Sequence, residues 1–214
     1  ENLEVNVGGR KKSFDAVWSS SLTDSTNKGK PDIEAVDTSD RVNTISSIFD
    51  VTTKPMIYDG GLGERPEHFV FTVKTLERLG VSAIVIEDNA GLKNSSSFES
   101  GFSKNQHSIE DFCLKIIAGK NAQVSDDFMI IASCESLILD KGMDDAVQRS
   151  KAYLQAGADG IMIQSSREDG LEIFEFCELY QEFGAGRPLV VAPLKFDCIT
   201  ETEFENAGVN IVIY

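Results

Sequence analysis

The chain has 214 residues, 41% of them hydrophobic and 26% charged, a size and composition suited to one α/β domain with a full core. A formal net charge of −15 sets it against nucleic acid and anionic membranes, and no run approaches the ~18 apolar residues of a bilayer span. A small anionic substrate would need a local cation, and a divalent metal is the obvious one.

The opening ENLEVNVGGRKKSFDAVW has no apolar segment of secretory type. Cys113, Cys134, Cys177 and Cys198 lack CxxC spacing, which predicts buried, reduced thiols in a cytoplasmic protein. Phe14–Trp18 reads as the first strand, followed by a long polar loop over Thr23–Asp40. Pro55–Tyr58 is the next strand, ending at Asp59. The stripe Phe69, Val73, Leu76 and Leu79 then predicts a helix. Three segments share one pattern: LERLGVSAIVIED, YLQAGADGIMIQSS and FENAGVNIVIY each end a helix at glycine (Gly80, Gly157, Gly208) and run into strand-length apolar residues.

The runs Ala83–Ile86, Gly160–Ile163 and Ile211–Ile213 do not alternate, as expected for strands covered on both faces of a parallel sheet. Asn89–Gln106 is a second long polar loop, predicted to be a lid. Beyond it come helix Ile109–Ala118, strand Phe128–Ala132, helices Met143–Leu154 and Glu168–Phe183, strand Leu189–Ala192 and helix Thr200–Asn206. Seven βα units in this order, without a GxGxxG turn, predict a single (β/α)8-type barrel over residues 1–214.

Asp59, Glu87 with Asp88 beside it, and Glu135 lie at or just beyond three consecutive strand ends, where a barrel keeps its chemistry. Converging carboxylates repel one another unless a cation lies among them, and oxygen-only ligands favour Mg2+ or Mn2+. His68 and His107 read as solvent-facing, and Ser95–Ser97 as loop rather than nucleophile.

The stretches FDAVWSSSL, GKPD, MIYDGG, IVIEDNAGLKNSSSF, FMIIASCES and AGADGIMIQSS resemble the successive active-site strands of the phosphoenolpyruvate mutase family of the isocitrate lyase superfamily. The resemblance runs from about Phe14 to Tyr214. It implies a (β/α)8 barrel, here lacking the first strand and the last helix, which the family swaps between subunits of a homo-oligomer (dimer or tetramer). It also implies interconversion of phosphoenolpyruvate and phosphonopyruvate through a Mg-stabilised pyruvate enolate. By position, Ser20, Ser21 and Leu22 match the turn that binds the substrate's phosphoryl or carboxylate group, and Trp18 a pocket wall. Asp32 matches a catalytic acid on the first loop, Lys93 the gating-loop lysine, and Asp59, Glu87 and Glu135 the metal cluster.

The departures are equally specific. Asn89 stands for the family's lysine and Ser95 for its asparagine, while Asp59-Gly60-Gly61-Leu62 lacks the second aspartate of the family's DxDTG turn. Ser133 replaces the phosphoryl-binding arginine, Gln164 a histidine and Leu194 a threonine. Lys93, Lys195 and Arg167 are the cations that could compensate. Carbon–carbon lyases and phosphonopyruvate or acylpyruvate hydrolases share this barrel and fit a less charged substrate end. A non-catalytic small-acid binder is the third possibility.

Overall fold

The computed structural model describes residues 4–90, 105–184, 186–193 and 199–214. A two-stranded antiparallel hairpin comes first, β1 (Glu4–Val7) and β2 (Arg10–Ser13). Gly8 and Gly9, at φ 58° and 80°, make its turn, and two consecutive positive φ values are what a tight hairpin turn needs. The sequence reading did not anticipate this hairpin.

The main sheet follows in chain order: β3 (Val17–Ser19), α1 (Ser21–Asn27), α2 (Thr38–Phe49), β4 (Met56–Asp59), α3 (Pro66–Leu79), β5 (Ala83–Glu87), α4 (Ile109–Ala122), β6 (Met129–Cys134), α5 (Met143–Gln155), β7 (Gly160–Ile163), α6 (Leu171–Phe183), β8 (Leu189–Val191), α7 (Glu201–Asn206) and β9 (Ile211–Val212). Strands β3 to β9 pair in that order, every pair parallel. Sequential parallel strands with crossover helices form the curled, barrel-type sheet the sequence predicts. The rings of Phe14, ahead of β3, and Tyr214, beyond β9, approach to 6.5 Å between centroids, although no ladder joins β3 to β9 among the described residues. No described helix is long and apolar enough to cross a membrane.

The Thr23–Asp40 expectation needs correction, because much of that stretch is helical. Ser20 caps α1 by accepting from the Thr23 N–H, and Asp37 caps α2 by accepting from the Asp40 N–H. Capping chemistry, not apolar periodicity, starts both helices. The glycine expectation is borne out: Gly80, Gly157 and Gly208 take φ of 89°, 106° and 89° at the ends of α3, α5 and α7.

Alternation along each strand divides the core in two. Met56, Tyr58, Ile84, Ile86, Ile130 and Ala132 join the large cluster under the helices. Ile57, Ala83, Val85, Ile131, Met162, Val190 and Ile213 form a smaller cluster on the opposite, concave face. The buried phenylalanines Phe69, Phe112, Phe128, Phe176 and Phe204 all lie in the helix-side layer, each worth roughly 1.5–3 kcal/mol relative to exposure. The helix-side layer thus carries the bulk of the apolar burial, and the concave face is left to carry charge.

Candidate active site

The same alternation decides which side chains share the concave face. Trp18 lies on the inner cluster, so Ser20 follows it on that face; Ile57 leads to Asp59, and Val85 to Glu87. Ile131 leads to Ser133 and Glu135, and Met162 to Gln164. Register places Asp59 beside Val85, Glu87 beside Ser133, and Ser133 beside Met162. Seven of the residues singled out from sequence therefore share one face at the carboxyl ends of β3 to β7, with Ser21 and Asp32 added beside Asp59.

Asp59 is held from two directions. Its Oδ2 accepts from the Ser21 N–H at 2.9 Å and the Ser21 hydroxyl at 2.7 Å, and its Oδ1 accepts from the Gly61 N–H at 3.0 Å. The same hydroxyl lies 3.2 Å from Asp32 Oδ2, so one serine sits between two carboxylates. Asn89 Nδ2 donates to Glu87 Oε2 at 3.3 Å. Ser133, fully buried, donates its hydroxyl to Glu135 Oε1 at 2.6 Å. Ser20 is engaged as the α1 cap, and the Leu22 side chain is 54% exposed. Lys93, Ser95, Leu194 and Lys195, with most of the Asn89–Gln106 lid, lie outside the described residues. Arg167, in the segment that follows β7, is exposed and paired with Asp169 and Glu172.

Glu135 is the electrostatic centre. Burial pushes its carboxyl well above the ordinary value of 4.5, and the Glu87 charge pushes the same way; the Ser133 hydroxyl opposes them, and Asp88 and Asp59 add to the rise. Over the interval between the ordinary and the raised value, the native state binds more protons than the unfolded chain, so raising the pH lowers stability. The Glu135→Gln variant should therefore be more stable than the metal-free parent at pH 7, with the gap closing as pH falls below about 4.5. Urea denaturation across a pH series measures this; a gap that widens on acidification would contradict it.

Asp88, grouped with the mouth acids by adjacency, belongs elsewhere. It has the opposite parity to Glu87, is fully buried, and receives Tyr153 OH at 2.6 Å, Gln106 Nε2 at 2.8 Å and the Glu135 N–H at 3.0 Å. Arg149 lies 3.6 Å from it and also donates to the His107 carbonyl and to Asp145. This network fastens both stems of the 91–104 segment, where Asn89 and Gln106 pair, to the backbone of Glu135. Cys134 shares that outer side: its Sγ is 3.3 Å from Ser136 Oγ, and burial pushes the thiol far up, as suits a packed thiol rather than a nucleophile. His68 is exposed and His107 half-buried.

Arg41 is the functional-site residue that sequence reasoning missed. Its guanidinium donates to Asp24 at 2.8 Å, to the Ser19 carbonyl at 2.9 Å and to the Asp59 carbonyl at 2.5 Å, and it stacks 4.0 Å from the Tyr58 ring centroid. It ties the carboxyl ends of β3 and β4 together. Burial, the first of several influences, holds the Tyr58 phenol at about 12, so the ring stays neutral beneath that cation.

The sequence profile of the phosphoenolpyruvate phosphomutase family matches residues 7–214. The chain belongs to that family. Among its relatives are phosphonopyruvate hydrolase of Variovorax sp. (strain Pal2), 34% identical and covering 94% of this chain and 69% of the relative, and phosphoenolpyruvate phosphomutase of Tetrahymena pyriformis, 28% identical with coverages of 94% and 66%. The chain thus spans about two thirds of the length of these relatives. The structure of a phosphoenolpyruvate phosphomutase from Streptomyces platensis subsp. rosaceus superposes with a TM-score of 0.87 at 31% identity, covering 94% of this chain and 69% of that one. A phosphonopyruvate hydrolase solved with oxalate and Mg2+ gives 0.83 at 31% identity, with coverages of 94% and 68%. Membership places the chain in a superfamily of mutases, hydrolases and lyases.

The residues fit a magnesium-type ion better than a closed metal cage. Among the described residues, no three His, Cys, Asp or Glu side chains group closely enough to ligate one ion together. Mg2+ is ordinarily bound through one or two carboxylates plus water. Glu135 has Glu87, Asp88 and Asp59 as charged neighbours, and a cation among such acids would relieve their repulsion.

Proposed function

We propose that this chain performs enolate chemistry on a small 2-oxo acid and interconverts phosphoenolpyruvate and phosphonopyruvate. The observation that carries the reading is the gathering of Asp59, Glu87 and Glu135 on one face at three consecutive strand ends, with Asp32 and Ser21 against Asp59. Asp59, with Glu87 and Glu135 behind it, would hold Mg2+, or Mn2+ in its place. A bound divalent ion supplies positive charge to substrate oxygens that gain negative charge during reaction. Ser20, Ser21 and Leu22 would meet the anionic end of the substrate, Trp18 would wall the pocket, and Asp32 would stand at the reacting group. Lys93 and Ser95, at the family's positions, would close the site against water, which otherwise captures a phosphoryl group in transit. By the same family kinship, we propose a cytoplasmic homo-oligomer.

One observation favours a second reading. Ser133 and Gln164 stand where the family's arginine and histidine would meet the phosphoryl group, and the Ser133 hydroxyl is engaged by Glu135. Loss of one preorganised donor costs on the order of 10²–10³ in rate, and two such losses roughly 10⁴–10⁶ if they are independent. A hydrolase or carbon–carbon lyase acting on a less charged distal group, or a non-catalytic acid binder, suits that pocket. Incubation with Mg2+ and phosphonopyruvate, followed by phosphorus NMR, separates the readings. Phosphoenolpyruvate signals mutase, inorganic phosphate signals hydrolase, and an unchanged spectrum removes both.

A further inference from the structure

The turn after Asp59 is gripped from two sides at one residue, Leu62, through the two peptides that flank it. Glu34 Oε1 accepts from the Leu62 N–H at 3.2 Å, and Lys115 Nζ donates to the Leu62 carbonyl at 2.6 Å. Glu34 adopts φ 61°, a left-handed conformation uncommon outside glycine, in the same loop as Asp32. Glu64, at φ 57°, adds a second tie by accepting from Thr38 Oγ1 at 2.7 Å. Lys115 reaches the turn from α4 and is almost fully buried.

The grip matters because of what the turn holds. Gly60–Gly63 contains Gly61 and Gly63 at φ 53° and 69°, a backbone with wide conformational freedom when unheld. The Gly61 N–H is the donor to Asp59 Oδ1, and the Gly61 carbonyl accepts from the Glu87 N–H at 2.7 Å. The Gly61–Leu62 peptide that Glu34 holds also carries the Gly61 carbonyl, so any shift of it is passed directly to the Glu87 N–H and, one peptide back, to Asp59. On the other side of the clasp, Asp32 lies two residues from Glu34 and meets Asp59 across the Ser21 hydroxyl.

We propose that Glu34 and Lys115 are positioning residues, a clasp on the backbone of Leu62 that fixes the Asp32 loop against the Asp59 turn and sets the orientation of the Asp59 carboxylate. Burial draws the Lys115 pKa down, and the Glu34 charge works against that fall, so the two ends of the clasp also support each other across Leu62.

Hydrogen exchange read by mass spectrometry tests the clasp in the full chain, over residues 28–37 and 60–64, in Glu34→Ala, Glu34→Gln and Lys115→Met. A charge-assisted bond at a partly exposed site predicts exchange about three- to tenfold faster in both segments for Glu34→Ala. Glu34→Gln, which keeps an acceptor oxygen, should recover part of the protection. Mn2+ affinity of the same variants should fall in the same order; this arm alone rests on the metal reading above. A parent that binds no Mn2+ would defeat that reading while leaving the exchange arm decisive. Unchanged exchange in both segments of folded Glu34→Ala would overturn the clasp. Because Glu34 is exposed, its variants carry the test even where Lys115→Met fails to fold.

Discussion

The double variant Ser133→Arg with Gln164→His should form phosphoenolpyruvate from phosphonopyruvate faster than its parent by on the order of 100-fold or more. Both positions share the concave face, Ser133 in register with Glu87 and Gln164 one residue beyond the end of β7. An arginine at residue 133 would replace a hydroxyl spent on Glu135 and would lie between Glu87 and Glu135, so its charge would not be buried without partners. The chain's net charge of −15 gives an incoming phosphonate little help of its own. Steady-state rates read by phosphorus NMR give the answer. A gain of that size supports a mutase with a weakened anion clamp, and no gain in a folded, metal-binding variant favours the lyase, hydrolase or binding reading.

The Arg149→Met variant should lose roughly 3–5 kcal/mol of stability, the usual consequence of removing one partner from a buried ion pair. Asp88 is fully buried, and burial raises its carboxyl pKa against the combined pull of Tyr153, the Glu135 N–H, Arg149 and Gln106. Taking away the guanidinium also removes the donor to the His107 carbonyl, while Asp145 keeps the Ser136 hydroxyl at 2.7 Å. Tyr153→Phe removes the hydroxyl that donates to Asp88 and accepts from Arg149 but leaves the charge pair, so it should cost less, about 1–3 kcal/mol. Urea denaturation with unchanged m-values measures both. Equal, small losses would mean that Asp88 is neutral and that the network is held by hydrogen bonds alone.

The barrel was legible because its signals are local. A left-handed glycine after each of three helices and apolar runs without alternation leave few parallel topologies open, and the structure keeps those strands to within two or three residues. The mouth acids were legible for the same reason: each sits at a strand end, and two-residue periodicity carries Asp59, Glu87, Ser133 and Glu135 to one face. That periodicity also sends Asp88 to the other face, a consequence that adjacency to Glu87 obscured. Most of helix α1 and the first turn of α2 fell inside the stretch read as loop because Ser20 and Asp37 start these helices by capping, and their polar sequences show little apolar stripe. Arg41 left no trace in the sequence, since two of its partners are backbone carbonyls of strands 18 and 22 residues away. Glu34 and Lys115 converge on the backbone of one residue, Leu62, from two distant segments, and such a meeting is visible only in the folded chain.

Calorimetric titration of the apo protein with Mg2+ and with Mn2+, beside the Asp59→Ala variant, tests the central claim most directly. The acids at the mouth predict one divalent ion per chain, bound more tightly as pH rises because Glu135 must give up its proton. Asp59→Ala should weaken that binding on the order of 10- to 100-fold or abolish it. Binding of equal strength by parent and variant, or no binding by a folded parent at any pH up to 8, would contradict a metal-centred site at the ends of β4, β5 and β6.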